Sequence, residues 1–342
     1  MKRLIEVLLT ATLIAGVPAS AQKEGPEIRF DSVPNALQLP AGLYLGEVGG
    51  VATNSRGEIF VYTRTGHPTI TIGTARPFAH GGSRLFQFDR TGKYVREIGK
   101  DSYAFMFASQ VRVDPSDNIW AVDEMTNTVI KFDPQGRVSM LLGRKAENVN
   151  IPPRPAAGNG AGQPTDLFDH PTDVAWDAAG NIFVADGLGN ARIAKFDKDG
   201  KFVKSWGRKG TAQGEFANVR SIAVDAQGNV YAADGGNQRV QVFDNNGTFK
   251  TAFTNVGNAQ ALCMTKSANQ VLYVSNSNPP EDIDRDGEIY KMRLDGTITG
   301  RFGRAGKLLK EFGTVNAIDC SNENTLYVGE IGNLRVQKLI LH

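Results

Sequence analysis

The chain has 342 residues, 41% of them apolar, and a formal net charge of +2. That is enough apolar material for a sizeable core, and no block of charge marks a disordered tail. The near-neutral balance argues against nucleic acid as a partner, because phosphates require a basic stripe.

Lys2 and Arg3 precede the apolar run Leu4 to Val17, and Ala19-Ser20-Ala21 follows it. This is the layout of a secretory signal peptide cleaved before Gln22, with Glu6 an awkward member of the run. An anchor helix is the weaker reading, since a bilayer span needs about 20 apolar residues. No cysteine stands at the cleavage site, so a lipid anchor is not expected. Cleavage leaves a formal charge of about +1, with two basic residues and one acidic residue removed. The expected product is an exported monomer, periplasmic or secreted, with no stable membrane insertion and residues 22–342 as one domain.

Further along, one motif is written three times: Asp114 to Asp123, Asp177 to Asp186 and Asp225 to Asp234, each with the turn Asp-x-x-(Gly/Asp)-Asn before an apolar strand. Each continues into a second apolar run ending in Phe-Asp, at Phe132-Asp133, Phe196-Asp197 and Phe243-Asp244. Period-two apolar patterning between Gly, Asn and Asp turns is the signature of strands. Four short strands per unit of about 40–60 residues predict an all-β, six-bladed β-propeller. The blades read as 48–99, 109–143, 170–207, 218–257, 258–303 and 314–341. The last holds three strands, so residues 27–31 are expected to supply its fourth and close the ring. Cys263 and Cys320 would meet an oxidising compartment and either face each other between blades or sit as two small buried residues.

Function is expected where the repeats stop repeating. Insertions at 63–83, 145–169 and 275–287 all fall in loops that leave one face of a propeller, so they should crowd one channel mouth. The last contains Asp282, Asp284, Asp286, Gly287 and Glu288, a pattern that resembles the front half of a calcium loop. Arg293 stands where an EF-hand needs a bidentate Glu, so the expectation is a structural calcium outside that motif.

Asp186 to Arg192, Asp234 to Arg239 and Gly332 to Arg335 resemble the NHL repeat, with its Asn-x-Arg before the third strand. Their recurrence marks them as scaffold. The stretch from Asp169-His170-Pro171 through Trp206-Gly207 resembles the propeller of peptidyl-hydroxyglycine α-amidating lyases, and Arg64 to His67 resembles an Arg-x-x-His element of that family. The resemblance implies a zinc held by three histidines, one from each of three alternate blades. The matching positions here are Ser109, Arg220 and Asn316, and none can serve as a histidine ligand. Leu188 and Gly235 stand where that family has a catalytic Tyr and Arg. Zinc is therefore not expected, nor is the lyase reaction.

What remains is a decorated mouth that binds a small molecule or peptide. Candidate ligand-binding residues are Arg64, His67, His80, Ser109, His170, Arg220 and Asn316; guanidinium groups recognise carboxylate bidentately. No residue stands out as catalytic. Two other readings stay open: a lyase or hydrolase acting at the same mouth, and a scaffold for another exported protein.

Overall fold

Each copy of the repeated motif opens with a carboxylate that organises its own turn. Asp177 accepts the backbone N–H of Ala179 and of Asn181 and the Asn181 side-chain amide, at 2.7–3.0 Å. Asp225 does the same for Gln227 and Asn229, and Asp114 for Ser116 and Asn118. Such local acceptors fix a tight reversal between two β-branched, aromatic strands. The repeated motif is thus the hairpin between the first and second strands of a blade.

In the computed structural model these hairpins build six four-stranded antiparallel sheets. The described residues are 25–65, 82–144, 167–279, 282, 284–322 and 324–342, with the backbone of one further hairpin, Ile70–Ile72 paired with Arg76–Phe78. The signal-peptide expectation and most of the 145–169 insertion lie outside them. Blade one comprises Glu47–Thr53, Ile59–Arg64, Ser83–Phe88 and Tyr94–Ile98. Blade two is Ala108–Val113, Ile119–Asp123, Thr128–Phe132 and Val138–Gly143; blade three is Asp173–Trp176, Ile182–Asp186, Arg192–Phe196 and Phe202–Trp206. Blade four runs through Ile222–Val224, Val230–Asp234, Arg239–Phe243 and Phe249–Phe253, and blade five through Ala259–Met264, Leu272–Asn276, Glu288–Met292 and Ile298–Phe302.

Blade six has Val315–Asn322, Thr325–Glu330 and Arg335–Leu341, and its outer strand is Phe30–Val33, Phe30 facing Leu341 and Val33 facing Lys338. The expected closure is present, but three residues later than residues 27–31. The reason lies upstream. Ile28 donates to the Arg301 carbonyl at 2.8 Å and Arg301 donates to Pro26 at 2.9 Å, so residues 26–28 first clasp the edge of blade five. Phe30 then enters the seam between blades, its ring 5.3 Å from Phe302 and 6.4 Å from Phe312.

The first strand of each blade lines the central channel, and each first strand neighbours the next around the ring, with blade six against blade one. Between blades lie the apolar layers, anchored by fully buried rings such as Tyr62, Phe105, Phe183 and Phe216. Three clamps recur at the opposite end of the blades from the Asp turns. Asp186 accepts from Asn190 and Arg192, Asp234 from Asn237 and Arg239, and Glu330 from Asn333 and Arg335, at 2.6–2.9 Å. These Arg residues also donate to carbonyls of the preceding interblade loop, such as Leu167 and Ala212. They are scaffold. Cys263 and Cys320 form a disulfide that ties the first strands of blades five and six. Among the described residues no helix is long and apolar enough to cross a membrane.

Candidate functional site at the channel mouth

Antiparallel geometry sorts the loops. The start of a first strand and the end of a second strand reach the same face, while the Asp turns lie on the other. Arg64 ends the second strand of blade one, Glu124 directly follows that of blade two, and His170 and Arg220 precede the first strands of blades three and four. Four blades therefore deliver a charged or titratable side chain to one mouth.

Arg64 is held in place. Its Nε donates to the Ala108 carbonyl at 2.9 Å, its Nη1 meets Glu47 at 2.9 Å, and its guanidinium lies 3.6 Å over the Phe107 ring. Arg220 is not so held. Its Nε is buried with no hydrogen-bond acceptor among the described residues. Burial draws its pKa down, and Glu124 pulls it back while Arg64 opposes. Burial likewise pushes the Glu124 carboxyl up from its ordinary value, against the attraction of Arg64, Arg220 and His170. These charges feel one another across the mouth without Arg220 and Glu124 closing into an ion pair.

His170 is positioned by its backbone. It sits at φ +59°, donates its N–H to Asn127 Oδ1 at 2.8 Å, and its carbonyl accepts from Leu188. A non-Gly residue in that region needs such support. Its Nδ1 lies 2.5 Å from Asp169 Oδ1, and Asp169 is only 2% exposed.

Ser109 and Asn316 line the channel beneath. The Ser109 hydroxyl donates to the Thr172 carbonyl at 3.0 Å, and the Asn316 amide donates to Gly49 and Ser109 at 2.6 and 3.1 Å. A committed hydroxyl, an amide N–H₂ and a guanidinium do not form the donor set of a zinc site. Among the described residues no three His, Cys, Asp or Glu side chains converge as metal ligands. His67 and His80 lie outside those residues. In the blade-five loop Asp282 and Asp284 are exposed, whereas Asp286 and Glu288 turn inward onto the Asn276 amide at 3.2 and 3.1 Å.

The floor of the mouth was not singled out from the sequence. Arg112 leaves blade two and crosses the channel, forming a bidentate pair with Asp173 of blade three at 2.6 and 2.9 Å. The same guanidinium reaches Ser221 of blade four, the Leu262 carbonyl of blade five and the Ile318 carbonyl of blade six. One side chain thus bolts five blades, and it lines a cavity of about 290 Å³ on the opposite face. A signal existed. The matching positions in blades three and four are Ala175 and Ala223, so Arg112 is a charge where the repeat calls for a small apolar residue. Glu124 carries a similar signal, since Gly187 and Gly235 occupy its place, and a Cβ at Gly187 would lie 1.8 Å from the Val219 carbonyl.

The domain family DUF5128, described as a 6-bladed β-propeller, matches residues 167–294. The chain is a six-bladed β-propeller, and it is similar to NHL repeat proteins. It is similar to peptidyl-α-hydroxyglycine α-amidating lyase 1 of Drosophila melanogaster, at 28% identity over 73% of this chain and 47% of that one. Human NHL repeat-containing protein 3 is 34% identical over 51% of the chain and 50% of its own length. The chain thus spans about half the length of these curated relatives. A streptogramin B lyase structure shares the fold, with a TM-score of 0.55 at 13% identity, covering 92% of this propeller and 98% of the lyase.

Proposed function

We propose that the mature protein is an exported propeller that binds a small molecule or peptide at the Arg64–Glu124–Arg220 mouth through a carboxylate or similar anion. It does so without the amidating-lyase reaction named for its relatives. The observation that carries this reading is the buried Arg220 Nε with no acceptor among the described residues. A buried donor left unmade is costly, and an incoming carboxylate repays that cost with a charge-assisted bond. Arg64, already fixed over Phe107, adds a second positive wall.

The test is calorimetric titration of the mature protein with short peptides bearing a free C-terminal carboxylate and with their amidated counterparts. The carboxylate forms should bind at least tenfold more tightly, and Arg220→Ala should abolish the difference. Equal affinity of both forms, or no effect of Arg220→Ala, overturns the reading. Stoichiometric zinc with turnover of an α-hydroxyglycyl peptide defeats its non-catalytic half.

The Asp169–His170 pair supports a second reading, a lyase or hydrolase acting at the same mouth. A buried carboxylate that orients an imidazole is a common acid–base arrangement. Turnover lost in His170→Gln with ligand affinity kept would favour it.

A further inference from the structure

The acid–arginine clamp of blades three, four and six is missing from blade five. In those blades the last residue of the second strand is an acid facing an Arg at the start of the third: Asp186 with Arg192, Asp234 with Arg239, Glu330 with Arg335. In blade five the same register places Asn276 opposite Glu288. The neutral group has moved to the second strand and the acid to the third. In place of the clamp lies a cavity of about 520 Å³ between blades four and five, rimmed by Gln238, Asn258, Asn276, Arg285 and Arg301 with Asp286 and Glu288. None of its lining residues belongs to the channel-mouth cluster.

Its chemistry is specific. Two guanidinium groups and two carboxylates give no net charge, and they stand beside one another, Arg285 3.6 Å from Asp286 and Arg301 3.8 Å from Glu288. Neighbouring opposite charges cancel as a field but keep their hydrogen-bonding directions. The single Asn276 amide faces Asp286, Glu288 and the Tyr290 hydroxyl at 3.1–3.3 Å, three acceptors for two N–H groups. Acceptor capacity is therefore left over for a ligand's O–H donors. The base of the loop is rigid: Asn276, Ser277 and Asn278 are buried, and they bond Asn258, Val315 and Thr314.

We propose that this pocket is a second binding site, for a neutral polyhydroxylated ligand, a mono- or oligosaccharide. Vicinal hydroxyls both donate and accept, so carboxylate, amide and guanidinium planes can each engage a pair of them. A lone anion would meet Asp286 and Glu288, and a zwitterion would have to separate charges that already neighbour one another. A volume of this order accommodates a small organic ligand.

The test is an array of neutral mono- and oligosaccharides probed with the intact mature protein, followed by calorimetry on the best binder. At least one saccharide class should bind, with affinity reduced tenfold or more in both Glu288→Gln and Arg285→Ala. Arg285 is on the exposed loop, so its variant keeps the fold, and unchanged melting checks this. Arg220→Ala should leave saccharide affinity intact, which separates this pocket from the channel mouth. An array with no binder, saccharide binding that survives both substitutions, or a pocket that answers only to calcium or to free amino acids overturns the proposal.

Discussion

Replacing Arg112 by Met should cost the propeller more than any other single exchange of a channel-lining residue. Met matches the length of the arginine stem but leaves Asp173, fully buried, without its bidentate partner. In the native protein burial works against the Arg112 charge, yet Asp173, aided by Asp319, holds the guanidinium above its ordinary pKa. Breaking one side of a buried pair costs about 3–5 kcal/mol, because the remaining charge is stranded. At about 2 °C per kcal/mol for a chain of this size, Tm should fall by about 6–10 °C. Asp173→Val alone should behave similarly, since it strands the cation. The double variant should recover about 2–3 kcal/mol but not all, because Ser221 and the Ile222 N–H both donate to Asp173 and would lose their acceptor. Thermal melts by circular dichroism of the four proteins close the cycle. An Arg112→Met protein melting within about 1 °C of the parent would refute the bolt.

Other consequences follow from separate parts of the ring. The Cys263–Cys320 bridge spans 57 residues, so reduction should remove about 4 kcal/mol of stability, read as a fall in melting temperature on adding a thiol reductant; an unchanged melt contradicts this. Deleting residues 22–33 removes the outer strand of blade six and exposes the Arg335–Leu341 edge, so size-exclusion chromatography should show association or aggregation instead of a monomer. Because the Glu124 pKa is raised in the folded state, its proton stabilises the fold fully below the ordinary value of 4.5. That contribution is lost as pH rises through the folded pKa. Glu124→Gln should therefore flatten the loss of stability with rising pH above 4.5, and an unaltered pH profile of melting would show that Glu124 does not titrate there.

The blades were legible because the turns that make them are written in local chemistry. An Asp two and four residues before the N–H groups it accepts needs no distant partner, so Asp114, Asp177 and Asp225 announce their hairpins wherever they stand. The closing strand was legible in kind but displaced in register. Its position is set by the clasp of residues 26–28 on Arg301, a contact nearly 275 residues away that no local pattern encodes. The cysteine pair is similar: parity along two strands allowed a bridge, and only the packing of blades five and six brings the sulfurs together.

The site is harder to see for a reason intrinsic to repeat architecture. A propeller displays its repeated residues where blades are alike, and there Asn190, Asn237 and Asn333 only tie loops to strands. Chemistry has to come from positions where a blade departs from its siblings, and such a departure is visible only in register. Arg112 against Ala175 and Ala223, Glu124 against Gly187 and Gly235, and Glu288 against Arg192 and Arg239 are three such departures. Each replaces a residue that a sibling blade uses for packing or clamping with one whose charge must find another partner. Arg112 finds four other blades, Glu124 finds the fields of Arg64, Arg220 and His170, and Glu288 finds an oversubscribed amide. The first departure joins the blades across the channel. The other two stand on the loop-bearing face, away from the Asp turns, where the proposed ligands would meet them.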